Sequence, residues 1–539
     1  MNATDLHIRL EPQLFVDNTV IEVIQGVSRR WHKPERHGDG PLIKVDRPWE
    51  RILYFQYSNY VVLHDPADGL VKCWYEDLGE VDVNNKSGQR HPWKSRVLYA
   101  ESKDGIHFTK PELDVVTLDG RRTNIVMGYE DNATEPTKAN PWAHVGVHSN
   151  GIVIDPHPPT PQERFRTIFT RQTVDEKGKL QHRLECAHSA DGIHWTPYPE
   201  RPRAGGSGAL DDVCCLSYDE DARLFVMNTR HGQMYANAEP AGTPFGGYWF
   251  PPYYPHRPDL MNKRRVFQTV SADFINWRNP LPISVPDDEM DNLDEAHYGM
   301  PQFRVGGSFF GTLGIFQYTA SEMEVRLMHS RDGFHFKPTD KGNAFLAPTG
   351  GGKWDAHMVS ITNGPVVKGD EWYFYHGGTS AHHDWWMDGS LAGVPESDNA
   401  NTYAKFGLGL AKLRKEGVAS LWANAERGGY VMTRPVKATA NRLLINARCK
   451  PGGSIKAVVL DLEGKVVGNC SKENSDAFTG DSTAHAVTWA GNAEVPAAKG
   501  GWRKIQFWLR DAEIFSFRFD AAEQEQKSAA AEFLHGTKN

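Results

Sequence analysis

Acidic side chains and imidazoles recur just ahead of apolar, strand-like runs in this 539-residue chain. Pro48-Trp49-Glu50 precedes RILYFQY, and His148-Ser149-Asn150 precedes GIVID, which has Asp155 at its far end. Asp211-Asp212 stand before VCCLSYD. Asp294-Glu295 and His297-Tyr298-Gly299-Met300 stand before QFRV, and Trp354-Asp355-Ala356-His357 before MVSITNGPVV. Four of these five units thus offer a carboxylate at the equivalent place. Carboxyl groups gathered in this way suit proton transfer: one acid donates while an opposing carboxylate attacks or activates water. A third can raise the acid's pKa by repulsion. The plain alternative is that such acids cap turns or pair with surface arginines.

Other side chains could serve the same site. His357, His376, His382 and His383 crowd the segments KWDAHM and YHGGTSAHHDWW, with Asp355 and Asp384 beside them. Imidazole and carboxylate can hold a divalent ion, but the spacing matches no closed metal motif, so hydrogen bonding to a substrate is the preferred role. Trp49, Tyr298, Trp385 and Trp386 could form a stacking platform, or simply fill the core. Arg230 follows the strand-like LFVMNT and can reach a pocket or end in solvent. The aromatic stretch GGTPFGGYWFPPYYPHR at 241–257 reads as a long loop shaping a pocket or a homo-oligomer contact.

The elements that must position these groups are announced by a repeat. SKDGIHF occupies 102–108, SADGIHW 189–195, SADFINW 271–277 and SRDGFHF 330–336, with a degenerate fifth copy, AKLRKEGVASL, at 411–421. Successive copies lie 87, 82, 59 and about 81 residues apart, each room for one four-stranded sheet. In each phrase Ser closes a strand, Asp-Gly turns, and the last aromatic opens the next strand. Alternating runs such as LVKCWYED, RFRTIFTR and EWYFYHGG accompany them. The expected fold is all-β: a five-bladed β-propeller over 46–427, with an N-terminal arm (1–45) packed on it. From about Gly428, short alternating runs such as NRLLINARC and WRKIQFWLRDAEIFSFRF predict a β-sandwich over 428–521. A weakly amphipathic tail, 522–539, follows.

Composition narrows the function classes. With 60 Lys+Arg against 68 Asp+Glu the chain is mildly acidic, which argues against nucleic acid or an anionic membrane as partner. No stretch approaches the roughly 20 apolar residues of a membrane helix. None of the six cysteines stands in a C-x-x-C pair, and Cys214-Cys215 read as buried thiols. Only Cys449 and Cys470 suit a bridge between neighbouring strands. GGSGAL at 205–210 lacks the Lys of a phosphate loop, and no H-E-x-x-H, G-x-S-x-G or dinucleotide fingerprint occurs. The opening MNATDLHIRLEPQLF has no basic segment followed by an apolar one, which leaves open a cytoplasmic location or a secreted or periplasmic one after signal removal.

Five units, three with S-x-D-G-x-x-W/F, one with Phe in place of the Gly and one degenerate, followed by a sandwich, resemble the glycoside hydrolases of families 32, 43 and 68, most of all family-32-like proteins of uncharacterised specificity. The resemblance covers residues 12–520 at the level of architecture. It lacks the family-32 W-M-N-D-P-N-G, R-D-P and E-C-P segments, so sucrose and fructan chemistry is not carried over. In such propellers the catalytic carboxylates sit at axis-facing starts of inner strands. The resemblance then implies Glu50 or Asp355 as base or nucleophile, Asp212 as orienting carboxylate and Glu295 as general acid. Trp49, Asp155, Asp211, Arg230, His297, Tyr298, His357, His376, His383 and Trp385 would bind the substrate. It implies a glycosidase that trims terminal furanoside or galactose-like sugars from an oligo- or polysaccharide. No cofactor is required, with a structural Ca2+ or other divalent ion as an option. Two alternatives stay open: a polysaccharide lyase using Tyr298, a His and a cation such as Arg171 or Arg230, and a non-catalytic carbohydrate-binding propeller.

Overall fold

The computed structural model describes residues 6–8, 11–79, 94–130, 141, 145–174, 180–204, 210–231, 264–287, 290–317, 320–383, 406–438, 440–497 and 499–520. Among them every regular element is a strand or a single 3-10 turn.

The repeated phrase has one local structure. In the first copy the Ser102 hydroxyl accepts the Gly105 N–H at 2.9 Å, and Asp104 Oδ1 accepts the N–H groups of Ile106 and His107. His107 Nδ1 closes on the other Asp104 oxygen at 2.7 Å. The same contacts recur about Ser189/Asp191 and Ser330/Asp332. In the third copy the Asn276 amide replaces the imidazole. The turn needs a left-handed residue, met by Gly105, Gly192 and Gly333 at φ of +74° to +80°. The third copy puts Phe274 there at φ +71°. A side chain in that region costs about 1–2 kcal/mol, which burial of the ring against Phe225 and Trp277 offsets.

These turns also join the sheets. Trp74 Nε1 donates to the Gly192 carbonyl at 2.6 Å, Arg166 to that of Asp273 at 3.4 Å, and Gln268 to that of Gly333 at 2.9 Å. The Tyr375 hydroxyl donates to Gly105 at 2.7 Å. Each turn is therefore gripped by the sheet before it, and the first turn by the last sheet. The order closes on itself.

The first sheet holds Leu53–Tyr54, Tyr60–His64, Val71–Asp77, Arg96–Ser102 and Ile125–Gly128. The second runs from Gly146–Ile154 through Phe165–Val174 and Leu180–Ser189 to Thr196–Pro197. The third centres on Leu210–Asp219, Leu224–His231 and Val266–Ser271. An eleven-stranded sheet follows, in which the group around Ser308–Gln317 and Glu322–Ser330 meets the group around Met358–Ile361, Glu371–Thr379 and Phe406–Arg414 through one parallel bridge, Met323 to Met358. Apolar clusters fill the interfaces: Trp74 and Phe165 between the first two sheets, Cys214 and Phe274 between the next two, and Tyr75, Tyr375 and Leu408 between the first and last. Val71–Asp77 is buried throughout because it is covered on both faces.

A ten-stranded sheet built on Arg442–Leu460 and Trp502–Asp520 encloses its own core around Phe15, Trp489 and Phe507. The N-terminal segment knits both parts. Ile21–Gln25 and Ser28–Trp31 pair within the ten-stranded sheet, while Glu35–Arg36 pairs with Phe406–Arg414. Ala419–Ala423, the end of the degenerate fifth copy, also belongs to the ten-stranded sheet. All six cysteines are free thiols, so Cys449 and Cys470 are not bridged. Cys214 and Cys215 lie in successive positions of one strand and face different clusters.

Candidate functional site at the inner strand ends

The innermost strands converge on an apolar plug. A 3-10 turn, Tyr57–Asn59, carries Tyr57 into contact with Val213, Cys215, Ala296, Tyr298, Phe316 and Met358. Tyr57 stacks on Tyr298 with centroids 5.7 Å apart, and Gly299 and Gly314 leave room for its ring. Full burial pushes the Tyr57 hydroxyl well above the ordinary phenol range, so it stays neutral.

Polar groups gather around this plug. Glu76 is completely buried and accepts hydrogen bonds from Asn59 Nδ2 at 2.5 Å and the Ser149 N–H at 3.2 Å. His148, from the second sheet, brings Nδ1 to 2.7 Å of Glu76 Oε1. An ionised carboxylate only accepts, so in this contact the proton lies on Nδ1. The His148 ring stacks on Tyr54 at 6.5 Å; the Tyr54 hydroxyl donates to Gln56 at 2.8 Å, and Gln56 reaches Met358 Sδ at 3.1 Å. Next to Met358, His357 Nδ1 lies 2.9 Å from Glu322 Oε1, and the His357 and His382 rings stack at 3.7 Å. His383 Nε2 meets the Tyr298 hydroxyl at 2.9 Å, and the Arg264 guanidinium lies 4.4 Å from the Tyr298 ring centre. One chain of contacts thus links groups from all four sheets around the plug.

The three described carboxylates of the expected catalytic set each have their own enclosure. Glu50 pairs with Lys110 at 2.7 Å and accepts from the Tyr75 hydroxyl and the Asp46 and Arg47 N–H groups. Glu295 is gripped by Arg326 through both oxygens, at 2.7 and 3.2 Å, and by Asn292. Asp355 pairs with Arg36 at 2.8 Å and with the Thr349 hydroxyl, while His376 lies 3.8 Å away. Burial opposes ionisation of Asp355, but His376, Thr349 and Arg36 outweigh it and hold the carboxyl well below the usual range. None of these partners is shared between the three. For Asp211, Asp212 and Arg230 the structure describes only the backbone strand, and Trp385 lies outside the described residues, as do Asp384, Trp386 and the stretch 241–257.

The expected binding residues divide likewise. Tyr298, His357 and His383 belong to the connected set. His297 sits just beside it, with Ser284 at 2.8 Å and Asp291 at 3.4 Å. His376 is buried against Asp355 and stacks on Trp354 at 5.5 Å. Trp49 donates to Asn124 at 2.8 Å and packs between the first and last sheets. Asp155 pairs with Arg166 at 2.9 Å at the far end of its strand. Arg171 is occupied by Glu185 at 3.1 Å on its own sheet.

Sequence reasoning missed Glu76 and Glu322 because it looked only before each first strand. In an antiparallel sheet the start of one strand lies beside the end of the next. Tyr54 is directly opposite Glu76, and Glu322 opposite Gln317. The acids ending VKCWYED and opening EMEVRLMHS were the available signal.

No family model matches the chain, and no curated protein matches it. Among solved structures it is similar to an N-acetylgalactosamine deacetylase from F. plautii in complex with blood group B trisaccharide, at 14% identity and TM-score 0.41, over 71% of this chain and 95% of that one. A glycosyl hydrolase from Bacteroides ovatus aligns at 16% identity and TM-score 0.40, over 71% and 94%. A protein of the GH130 family of mannoside phosphorylases, which contains glycoside hydrolases targeting β-1,2-mannosidic linkages in Candida mannan, aligns at 15% identity and TM-score 0.40, over 72% and 94%.

Proposed function

We propose that the chain is a carbohydrate-active hydrolase of the family 32, 43 and 68 type, cleaving terminal sugars from an oligo- or polysaccharide at the inner strand ends. In this reading the eleven-stranded sheet counts as two blades joined at Met323 and Met358, the ring has five, and the ten-stranded sheet is the sandwich. The observation that carries the reading is the Glu76–His148 pair, 2.7 Å apart between the first and second sheets beside the Tyr57 plug. A buried carboxylate that fixes an imidazole tautomer leaves the second nitrogen suited to general acid–base work. His148 donates the proton to the leaving oxygen, and Asp212 keeps the role of orienting carboxylate expected from the sequence. Tyr298, His357 and His383 hold hydroxyls. Glu50, Glu295 and Asp355, each closed around a cation, position strand ends. The test is a panel of aryl glycosides and plant or algal glycans with wild type, His148→Ala and Asp212→Ala. Loss of general acid–base help costs about 100-fold or more. No turnover of any glycan by the wild type, or full activity in both variants, overturns the reading.

A second reading has its own observation. The Tyr298–His383 contact under Arg264 is the phenol, imidazole and cation set that proton abstraction beside a uronate carboxylate uses, with Arg264 in place of Arg171 or Arg230. Appearance of unsaturated products from uronate glycans, abolished by Tyr298→Phe, selects this lyase. Binding without turnover selects the carbohydrate-binding alternative.

A further inference from the structure

We propose that Glu322, His357 and His382 form a binding site for a divalent transition-metal ion of the zinc class, with one coordination position left for water or a substrate oxygen. Glu322 Oε1 lies 2.9 Å from His357 Nδ1 and 3.8 Å from His382 Nε2, and one donor atom of each residue falls within 4.8 Å of the others. A tetrahedral ion with metal–ligand bonds of about 2.0–2.1 Å holds its ligands roughly 3.3 Å apart. The two Glu322 separations bracket that value, and the remaining pair lies within 4.8 Å, so the stacked imidazoles would have to turn towards a shared ion, with donor shifts of up to about 1.5 Å, to complete the set.

The backbone holds the three donors in place. The Met323 N–H donates to the His357 carbonyl at 3.1 Å, beside the Met323–Met358 bridge, and the His383 N–H donates to the Ser321 carbonyl at 2.8 Å. The segments around 322, 357 and 382 are thus tied together directly, as an organised ligand set requires. Solvent reaches them: the side chains of Glu322, His357 and His382 are 35%, 28% and 15% exposed. Two imidazoles and one carboxylate favour zinc or a neighbouring first-row ion over calcium, which takes oxygen ligands. Three protein ligands with an open position is the arrangement of catalytic rather than structural zinc. The site does not depend on the substrate proposed above.

The experiment measures metal, not activity. The full-length protein, stripped with a chelator and dialysed, is titrated with zinc chloride by calorimetry, with calcium chloride in parallel, and its metal content is measured as purified. The expected result is one zinc per chain, a rise in melting temperature on zinc addition, and no comparable response to calcium. His357→Ala and Glu322→Gln should each weaken zinc binding by more than the roughly 10–100-fold that loss of an outer-shell partner causes. His335→Ala, which removes an exposed turn imidazole, should leave it unchanged and serves as the folded control. Absence of zinc binding by the wild type, or undiminished binding by the His357→Ala, Glu322→Gln double variant, overturns the proposal; Glu322 then simply hydrogen-bonds His357. Zinc binding without glycan turnover would separate this site from the hydrolase reading.

Discussion

Asp77, adjacent to the site carboxylate Glu76, should make a contribution to stability that falls as the pH rises towards neutrality. Its side chain is fully buried. One oxygen accepts the N–H groups of Arg51, Ile52 and Gly79 at 3.0, 2.8 and 3.3 Å, while Oδ2 has no hydrogen-bond partner. Burial raises its pKa from 3.8 to about 6, against the opposing pull of Arg96 and those N–H groups. At 1.36 kcal/mol per decade, that displacement is worth ~3 kcal/mol. The folded state holds this proton more tightly than the unfolded chain does. The cost is therefore absent below the unfolded value, grows between 3.8 and about 6, and is complete above it. Asp17 and Asp273 are held at about 2. Their contributions are lost only as the pH falls below about 4, outside this window. Urea titrations of wild type and Asp77→Asn in steps from pH 4.5 to 7.5 isolate the effect, because Asn cannot ionise. The stability of wild type relative to the variant should decline by roughly 2 kcal/mol across that range. A difference that stays flat, or that rises with pH, would refute the claim that Asp77 is dry and underpaired.

Arg326→Ala would leave Glu295 buried without its cation, and chemical denaturation should show a loss of about 3–5 kcal/mol. Replacing both Arg326 and Glu295 by apolar residues should recover part of it. Gly192→Ala must strain a left-handed turn at φ +80° and push a methyl to 2.5 Å of the Trp74 ring. A melting temperature lowered by several degrees, in line with a cost of about 1–2 kcal/mol from the backbone alone, is expected; an unchanged value would mean the turn does not dock on Trp74. Glu76→Gln should retain the fold yet shift the pH–activity profile of any glycan turnover, because it alters the partner of the His148 Nδ1 proton; an unaltered profile removes the pair from the chemistry.

What this sequence determines alone is what short-range contacts decide. The S-x-D-G-x-H phrase was legible because Ser102, Asp104, Gly105 and His107 bond to one another within three residues. Alternation made the strands legible, and the recurrence of the phrase marked the turns that dock neighbouring sheets together. Tyr298, His357 and His383 could be nominated because they stand next to strands. Pairing across the chain could not. Arg36 meets Asp355 from 319 positions away, Lys110 meets Glu50 from 60, and His148 meets Glu76 from 72. Whether a carboxylate is sealed by a cation or left facing an imidazole depends on which sheet lies beside it and in what register. Only the closed ring decides that, because the free energy of a buried charge is set by neighbours in space and not by neighbours in sequence.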